Sequence, residues 1–235
     1  AHALKNMTCR MIRGYSMLKM TGNIDADLMR RCIALAKSSV AAGEYPFAAV
    51  IARNGKFLCE SINRARQDHE ANRHAEVVAI SMAQAIQGAD LSDCTIYSTV
   101  EPCAQCSYAI RETQIGRVVY GLRSPLMGGH TRWNILSDTE LSDILPEVFL
   151  PAPEIVPGFL QNEVEMLFEQ WSPPIWYMIR ARGIFVSDDR ENSVRPRSPH
   201  GLNAKLARFF KTHLIDRMRQ ARDEADGDAN VLPRK

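Results

Sequence analysis

The chain has 235 residues, of which 46% are hydrophobic and 24% charged, with a formal net charge of +2. This near-neutral balance excludes a strong overall field toward nucleic acid or an anionic membrane, although a local basic patch remains open. No apolar stretch reaches the roughly 18 to 20 residues that cross a bilayer, and no secretory signal is recognisable, so no membrane partner is expected.

Hydrophobic periodicity and turn residues predict the elements of the first half. Apolar residues at helical spacing predict a helix over 25–42, followed by a buried strand over 48–52. Asn54-Gly55 predicts a two-residue hairpin turn into the next strand. The remaining predicted elements are a strand over 56–62, a helix over 75–87, a strand over 95–99, a helix from Pro102 to about Thr113, and a strand over 117–120 that Gly121 ends. This order predicts helices packed on the faces of a mixed sheet.

The pattern weakens beyond Gly121. We expect a loop over 124–131, an irregular segment over 141–157 that follows the surface, and a helix over 160–171. Residues 175–186 fit either a strand or a helix. Residues 187–201 have the composition of a linker.

The expected organisation is an N-terminal extension over 1–22, a central domain over 23–172 and a C-terminal extension over 173–235. Within the last, residues 202–225 predict an amphipathic helix. Its basic residues alternate with acidic ones and lack an accompanying aromatic series. A solvated face that covers the core or pairs with another subunit is therefore favoured over a nucleic-acid contact.

Two short motifs, each at the start of a predicted helix, contain the candidate metal ligands. They are His74-Ala75-Glu76 and Pro102-Cys103-Ala104-Gln105-Cys106. Zinc binds imidazole and thiolate groups in a tetrahedron, and a catalytic site leaves the fourth position to water. Cysteines three apart at a helix N-terminus can face one ion, and the helix dipole favours their thiolates. We therefore predict His74, Cys103 and Cys106 as the metal ligands.

Glu76, two residues from His74, is predicted as the catalytic general acid and base. Zinc lowers the pKa of a water ligand to about 7, and a neighbouring carboxylate can take a proton and later return it to substrate. A Cys-x-x-Cys pair alone also occurs in redox proteins and structural zinc sites. Both motifs together, without a second cysteine pair, favour catalytic zinc.

The other cysteines fit small buried residues. They are Cys9, Cys32, Cys59 and Cys94. Cysteines this sparse, in a chain without a secretory signal, favour reduced thiols with a metal site over a disulfide scaffold. A cytoplasmic location is therefore expected.

The motifs form an ordered set between Asp25 and Leu122. Its segments are Pro46 to Ile51, Asn63-Arg64, His74 to Ile80, Tyr97 to Cys106 and Val118 to Gly121. This set resembles the cytidine-deaminase-like superfamily, and is most similar to its guanine deaminase and tRNA adenosine deaminase branches. The resemblance implies an α/β fold with three α-β-α layers, a mixed five-stranded sheet and extra C-terminal helices. It also implies Zn²⁺, a homodimer, and hydrolytic replacement of a ring amino group by oxygen with release of ammonia.

The same resemblance implies that Asn63 binds the base and that Phe47 lies near the base pocket. With Ala75 and Trp133, these are the predicted substrate contacts. From residue type alone, Asn63 also fits a turn at a strand end. Trp133 fits either a ring that stacks on a planar substrate or a core anchor. His130 and Arg132 beside it could donate to a carbonyl or phosphate.

The sequence departs from the tRNA deaminase pattern near the expected pocket. The departures are at Ala48, at residues 70–73, at Gln105 and at residues 123–129. A Phe-x-Asp segment typical of guanine deaminases is also missing, whereas residues 156–160 and the helix after them resemble the C-terminal helix of the tRNA enzymes. The branch therefore stays open at this point.

Three functions remain. The preferred one is a zinc-dependent aminohydrolase acting on a cyclic amidine, that is, a nucleobase, nucleoside or similar small amino-heterocycle, with a guanine-like aminopurine first. The alternative is a tRNA adenosine-to-inosine deaminase, which would make tRNA the partner. The second alternative is a catalytically inactive, deaminase-like binding subunit, which the intact Glu76 disfavours.

Overall fold

The computed structural model describes residues 23–187. In this range the helices are α1 (Ile24–Ala41), α2 (Ala75–Gln87), α3 (Ala104–Glu112), α4 (Thr139–Ile144), α5 (Gln161–Trp171) and α6 (Pro173–Ala181). The strands are β1 (Ala48–Arg53), β2 (Lys56–Ile62), β3 (Cys94–Val100), β4 (Arg117–Leu122) and β5 (Glu154–Val156). The predicted N-terminal extension and the predicted helix over 202–225 lie outside the described residues.

The five strands form one mixed sheet in the order β2-β1-β3-β4-β5. β1 pairs antiparallel with both β2 and β3, whereas β4 runs parallel to β3 and to β5. The mixed five-stranded α/β fold expected from the sequence is therefore confirmed. These directions also place the carboxyl ends of β2, β3 and β4 at the same edge of the sheet.

Helices cover both faces of the sheet and bury a separate apolar cluster on each. On one face, Met29 of α1, Phe168 of α5 and Trp176 of α6 pack against the sheet. On the other, Ile80 of α2 and Ile110 of α3 do so. Each fully buried side chain of this size contributes about 1.5–3 kcal/mol from the apolar surface removed from water. This is the expected three-layer α-β-α arrangement.

The hairpin between β1 and β2 turns at Asn54 and Gly55. Their φ angles are 49° and 74°. Positive φ at both central residues is the requirement of a two-residue type I′ turn, for which Asn-Gly is the preferred pair. The predicted hairpin is confirmed.

Gly121 does not end its strand, which corrects the sequence-based expectation. β4 continues to Leu122, and a Cβ at position 121 would lie 2.6 Å from Val164 Cγ2 and 2.7 Å from Thr99 O. The glycine is needed because α5 and β3 approach the strand closely. Its role is packing, and a breaker and a packing glycine look the same in a sequence.

Three further boundaries differ from the predictions. α3 begins at Ala104 with Cys103 as its N-cap, so Pro102 precedes the helix and does not open it. The segment over 141–157, expected to be irregular, contributes β5 at the sheet edge. The ambiguous segment over 175–186 is helical in α6 and then extended. Short elements such as β5 have too few residues to show a period.

Trp176 is buried in the same cluster as α1 and α5. The predicted domain boundary after residue 172 stays a prediction. Within residues 23–187, none of the helices combines the length and apolarity that a membrane-spanning helix requires.

A carboxylate on α1 ties that helix to two strands. Asp25 Oδ1 accepts from Tyr97 Oη at 2.6 Å, and the Arg117 guanidinium donates to both carboxylate oxygens at 2.9 Å. This bidentate geometry is the stronger form of an ion pair. The hydrogen bonds from Arg117 lower the pKa of Asp25 below its usual value.

Replacing this carboxylate, as Asp25→Asn, should destabilise the protein by about 1–2 kcal/mol at pH 7 because the ion pair and its hydrogen bonds are lost. Since the folded-state pKa of Asp25 is lowered, its contribution is complete above the unfolded-state pKa and declines as pH falls through the folded-state value. Urea unfolding between pH 7 and pH 3 measures both effects.

The matched control is Asp143→Asn, which changes an exposed aspartate without an ion pair among the described residues. A difference between wild type and Asp25→Asn that stayed constant down to pH 3 would contradict the linkage.

Candidate metal centre

The two predicted motifs meet because α2 and α3 begin at the same edge of the sheet. His74 is the N-cap residue of α2, and Cys103 is the N-cap residue of α3. An N-cap side chain usually accepts a hydrogen bond from its own helix, but neither of these does so. Both side chains are therefore free to face each other, and Cys106 joins them one turn into α3.

The candidate ligand atoms form a compact triangle. His74 Nδ1 lies 3.5 Å from Cys103 Sγ and 3.4 Å from Cys106 Sγ, and the two sulfur atoms are 3.6 Å apart. Tetrahedral zinc with usual bond lengths requires about 3.6 Å between nitrogen and sulfur and about 3.8 Å between two sulfurs. One imidazole and two thiols at these spacings fit zinc with one position left open. The role of these residues as ligands stays a prediction.

The charge distribution also suits a cation. A hydrogen bond from Cys106, together with nearby His74, lowers the pKa of Cys103 to about 4. Contact with Cys103 in turn raises the pKa of His74. The helix N-terminus supplies a partial positive charge that supports the thiolate. A thiolate is the form in which cysteine binds metal.

Glu76 lies directly behind the candidate ligands. It is 5% exposed; its Oε1 accepts from Ser98 Oγ at 2.9 Å, and its Oε2 lies 3.6 Å from Cys106 Sγ. Burial raises the pKa of Glu76 because the charged carboxylate is desolvated. A carboxyl group in such surroundings can hold or release a proton nearer to neutral pH than an exposed one.

Asn63 is 4% exposed and is held by a buried carboxylate. Its Nδ2 donates to Glu44 Oε2 at 2.9 Å. A carboxylate only accepts, so the amide nitrogen must face Glu44 and Oδ1 must face away from it. The next residue, Arg64, donates its N–H to the carbonyl of Arg73, directly before His74. Asn63 therefore lies on a segment paired with the one that leads to the candidate ligands.

The other predicted substrate contacts differ in their surroundings. Ala75 is fully buried at the start of α2. Phe47 packs against the rings of Phe168 and Phe185 at 5.9 Å, within the apolar core. Trp133 is 53% exposed, with the Arg132 guanidinium 4.7 Å from its ring centre. The core-anchor alternative for Trp133 is therefore wrong, while the substrate roles stay predictions.

The sequence reasoning missed three polar residues that support this region. They are Glu44, Ser98 and Glu101, all buried. A buried carboxylate is costly unless it is hydrogen-bonded, so an acid at the end of an apolar strand, as at Glu101, was the available signal. Nothing in the local sequence marks Ser98 or Glu44.

A family model described as the cytidine and deoxycytidylate deaminase zinc-binding region matches residues 23–122. A tRNA-specific adenosine deaminase of Streptococcus pyogenes is 34% identical over 116 residues, which cover 48% of this chain and 73% of the relative. The chloroplastic tRNA(adenine(34)) deaminase of Arabidopsis thaliana is 28% identical over 158 residues. The matched region is 63% of this chain but only 12% of that much longer protein.

Two solved structures share the fold. One comes from studies of A-to-I editing by tRNA:A34 deaminases at the wobble position of transfer RNA, with 28% identity, a TM-score of 0.53, and coverage of 60% of this chain and 98% of the other. The second is a guanine deaminase from Nitrosomonas europaea, with 20% identity, a TM-score of 0.50, and coverage of 69% and 98%. At this identity the second likeness concerns the fold alone.

The ligand assignment predicts that Cys106→Ser loses most bound zinc, since a serine hydroxyl is a poor substitute for a thiolate in this donor set. Metal analysis of protein dialysed against a weak chelator should give about one zinc per wild-type chain and close to none for the variant. Cys94→Ser is the control, because Cys94 is also buried but lies outside the cluster. Full zinc retention by Cys106→Ser would remove Cys106 from the ligand set.

Proposed function

Because the chain belongs to the cytidine and deoxycytidylate deaminase family of zinc-binding proteins, we propose that it deaminates an aminopurine ring, with adenosine in tRNA as the leading substrate. Family membership confirms the expected superfamily, the Zn²⁺ cofactor and the class of zinc-dependent aminohydrolase. The observation that supports catalysis by this chain is the buried Glu76 carboxylate beside the triangle of His74, Cys103 and Cys106.

The proposed reaction consumes one water molecule. A C–O bond forms at the ring carbon that bears the amino group, the C–N bond to that group breaks, and ammonia leaves. When bound by the three candidate ligands, Zn²⁺ supplies Lewis-acid chemistry that makes water a nucleophile near neutral pH. The residues of the chain must then move protons from water to the ring nitrogen and to the departing amine.

Glu76 is placed for this transfer. Its Oε1 is held by the Ser98 hydroxyl, so Oε2, on the side of Cys106, is the oxygen available to take and return a proton. The hydrogen bond from Ser98 fixes the orientation of the carboxylate, while burial raises the pKa of Glu76 and favours the protonated form needed for delivery. Asn63 Oδ1, directed away from Glu44, is available to accept from a ring N–H or amino group.

Adenosine in tRNA is placed first because of the relatives. The tRNA-specific adenosine deaminase of Streptococcus pyogenes matches over nearly three quarters of its length at 34% identity. The exposed Trp133 and the neighbouring Arg132 suit a nucleic-acid substrate, since bases of unpaired loops stack on aromatic rings and arginine planes.

A guanine-like free base, preferred from the sequence, is the second candidate. It is favoured by the departures from the tRNA deaminase pattern at residues 70–73, at Gln105 and at residues 123–129. The homodimer and the cytoplasmic location remain predictions.

Removing the proton carrier should abolish most catalysis without removing the metal. We expect Glu76→Gln to lower kcat for ammonia release by about 10²–10⁴-fold, with zinc content unchanged. Glu140→Gln, an exposed glutamate on α4, is the control. Ammonia release by Glu76→Gln at the wild-type rate would reject the role of Glu76 as the general acid and base.

The substrate is tested by offering the zinc-loaded protein tRNA transcripts with adenosine at the wobble position beside free guanine, adenine, cytosine and their nucleosides. We expect inosine in the tRNA, with a KM that rises steeply with salt because phosphate contacts release counterions. Ammonia from guanine alone, insensitive to salt, would replace tRNA with the second candidate. No product from any substrate would favour the inactive binding subunit.

A further inference from the structure

We infer that Glu101 is a positioning residue of the site: its carboxylate clamps residues 124–131 onto the Cys103 segment and thereby sets where Arg132 and Trp133 stand. The segment over 124–131 is called the clamped loop below. The role in substrate binding rests on the proposed function, whereas the clamp itself is a property of the fold that can be measured without a substrate.

The Glu101 carboxylate is 2% exposed and accepts hydrogen bonds only from the clamped loop. Ser124 N donates to Oε2 at 2.7 Å, and His130 N and Thr131 N donate to Oε1 at 2.9 and 2.6 Å. The Thr131 hydroxyl lies 2.8 Å from Oε2 and 3.1 Å from Oε1. Hydrogen bonds to a charged acceptor are about twice as strong as neutral ones, and here they join both ends of one loop.

The clamped loop also pairs with the backbone that carries the candidate ligand Cys103. Gly128 forms an antiparallel bridge with Cys103, and Gly129 N donates to Pro102 O at 2.8 Å. A Cβ at Gly128 would collide with the Glu101 carboxylate, and one at Gly129 would collide with the Ser107 side chain. Only glycine allows this approach, so the paired glycines are explained by the clamp.

The clamp reaches the residues at the rim through the backbone. The N–H groups of Arg132 and Trp133 both donate to Gly128 O at 3.1 Å. His130 is fixed from a second direction, because its Nδ1 lies 2.8 Å from Tyr120 Oη. Trp133 is 53% exposed and so has little packing of its own to hold it. Its position therefore depends on the loop, and the loop depends on Glu101.

The chain offers a matched control inside the same loop. Ser124 donates its backbone N–H to Glu101, but its buried hydroxyl has no hydrogen-bond partner among the residues that the structure describes. Ser124→Ala therefore removes a side-chain oxygen and keeps the clamp. Glu101→Gln keeps the shape of the side chain but replaces one carboxylate oxygen by an amide donor, which faces N–H groups and cannot accept from them.

Hydrogen exchange of the zinc-loaded protein tests the clamp directly. In Glu101→Gln we expect the amide hydrogens of Ser124, His130 and Thr131 to exchange at least about tenfold faster, with zinc content unchanged. In Ser124→Ala we expect their exchange to match that of the wild type. Unchanged protection in Glu101→Gln would overturn the inference, and so would loss of zinc without faster exchange, since Glu101 would then act on the metal site.

A double-mutant cycle tests whether the clamp acts through Trp133. With the tRNA or base identified by the substrate panel, Glu101→Gln should raise KM by about fivefold or more and change kcat less, and it should add little to Trp133→Ala. Additive effects on KM, or a fall in kcat alone, would overturn the link to Trp133. An inactive wild type would count against the proposed function, while the exchange result would still decide the clamp.

Discussion

The candidate site depends on one constraint: two helices begin at the same sheet edge, each with an N-cap side chain that leaves its own helix uncapped. β2 and β3 both run antiparallel to β1, which places the starts of α2 and α3 together. His74 and Cys103 then face each other, and Glu76 and Cys106 follow one turn further in. The positive ends of both helices favour thiolate and carboxylate at the point where they meet.

Three buried glutamates surround this point, and their partners separate their roles. Glu44 accepts from two backbone amides and from Asn63, and Glu101 accepts from three backbone amides and a hydroxyl. Glu76 accepts from the Ser98 hydroxyl and otherwise faces Cys106. A carboxylate surrounded by donors is held ionised in one orientation, which suits positioning. One with few donors can change its protonation state at smaller cost, which suits proton transfer.

The sequence predicted what depends on neighbours along the chain. Helical spacing placed α1 and α2, and Asn54-Gly55 placed the hairpin, because these signals lie within a few residues. The two metal motifs could be joined only through the family resemblance. Glu44, which bonds Asn63 across 19 residues, and Gly121, whose space is taken by Val164 of α5, depend on contacts that the fold creates. Three-residue β5 is defined by its pairing with β4 and shows no period of its own.

The clamped loop changes the weight of the departures from the tRNA deaminase pattern. Residues 123–129 differ from that pattern, yet Glu101 holds their neighbourhood through backbone N–H groups, which every residue except proline supplies. A backbone clamp of this kind tolerates new side chains in the loop, provided that glycine remains where the carboxylate and Ser107 approach. Different side chains at residues 123–129 are therefore compatible with an unchanged loop path, so they are weaker grounds against tRNA than their number suggests. The stronger discriminator is what the loop presents, namely an exposed tryptophan with an arginine over its ring beside the Cys103 segment.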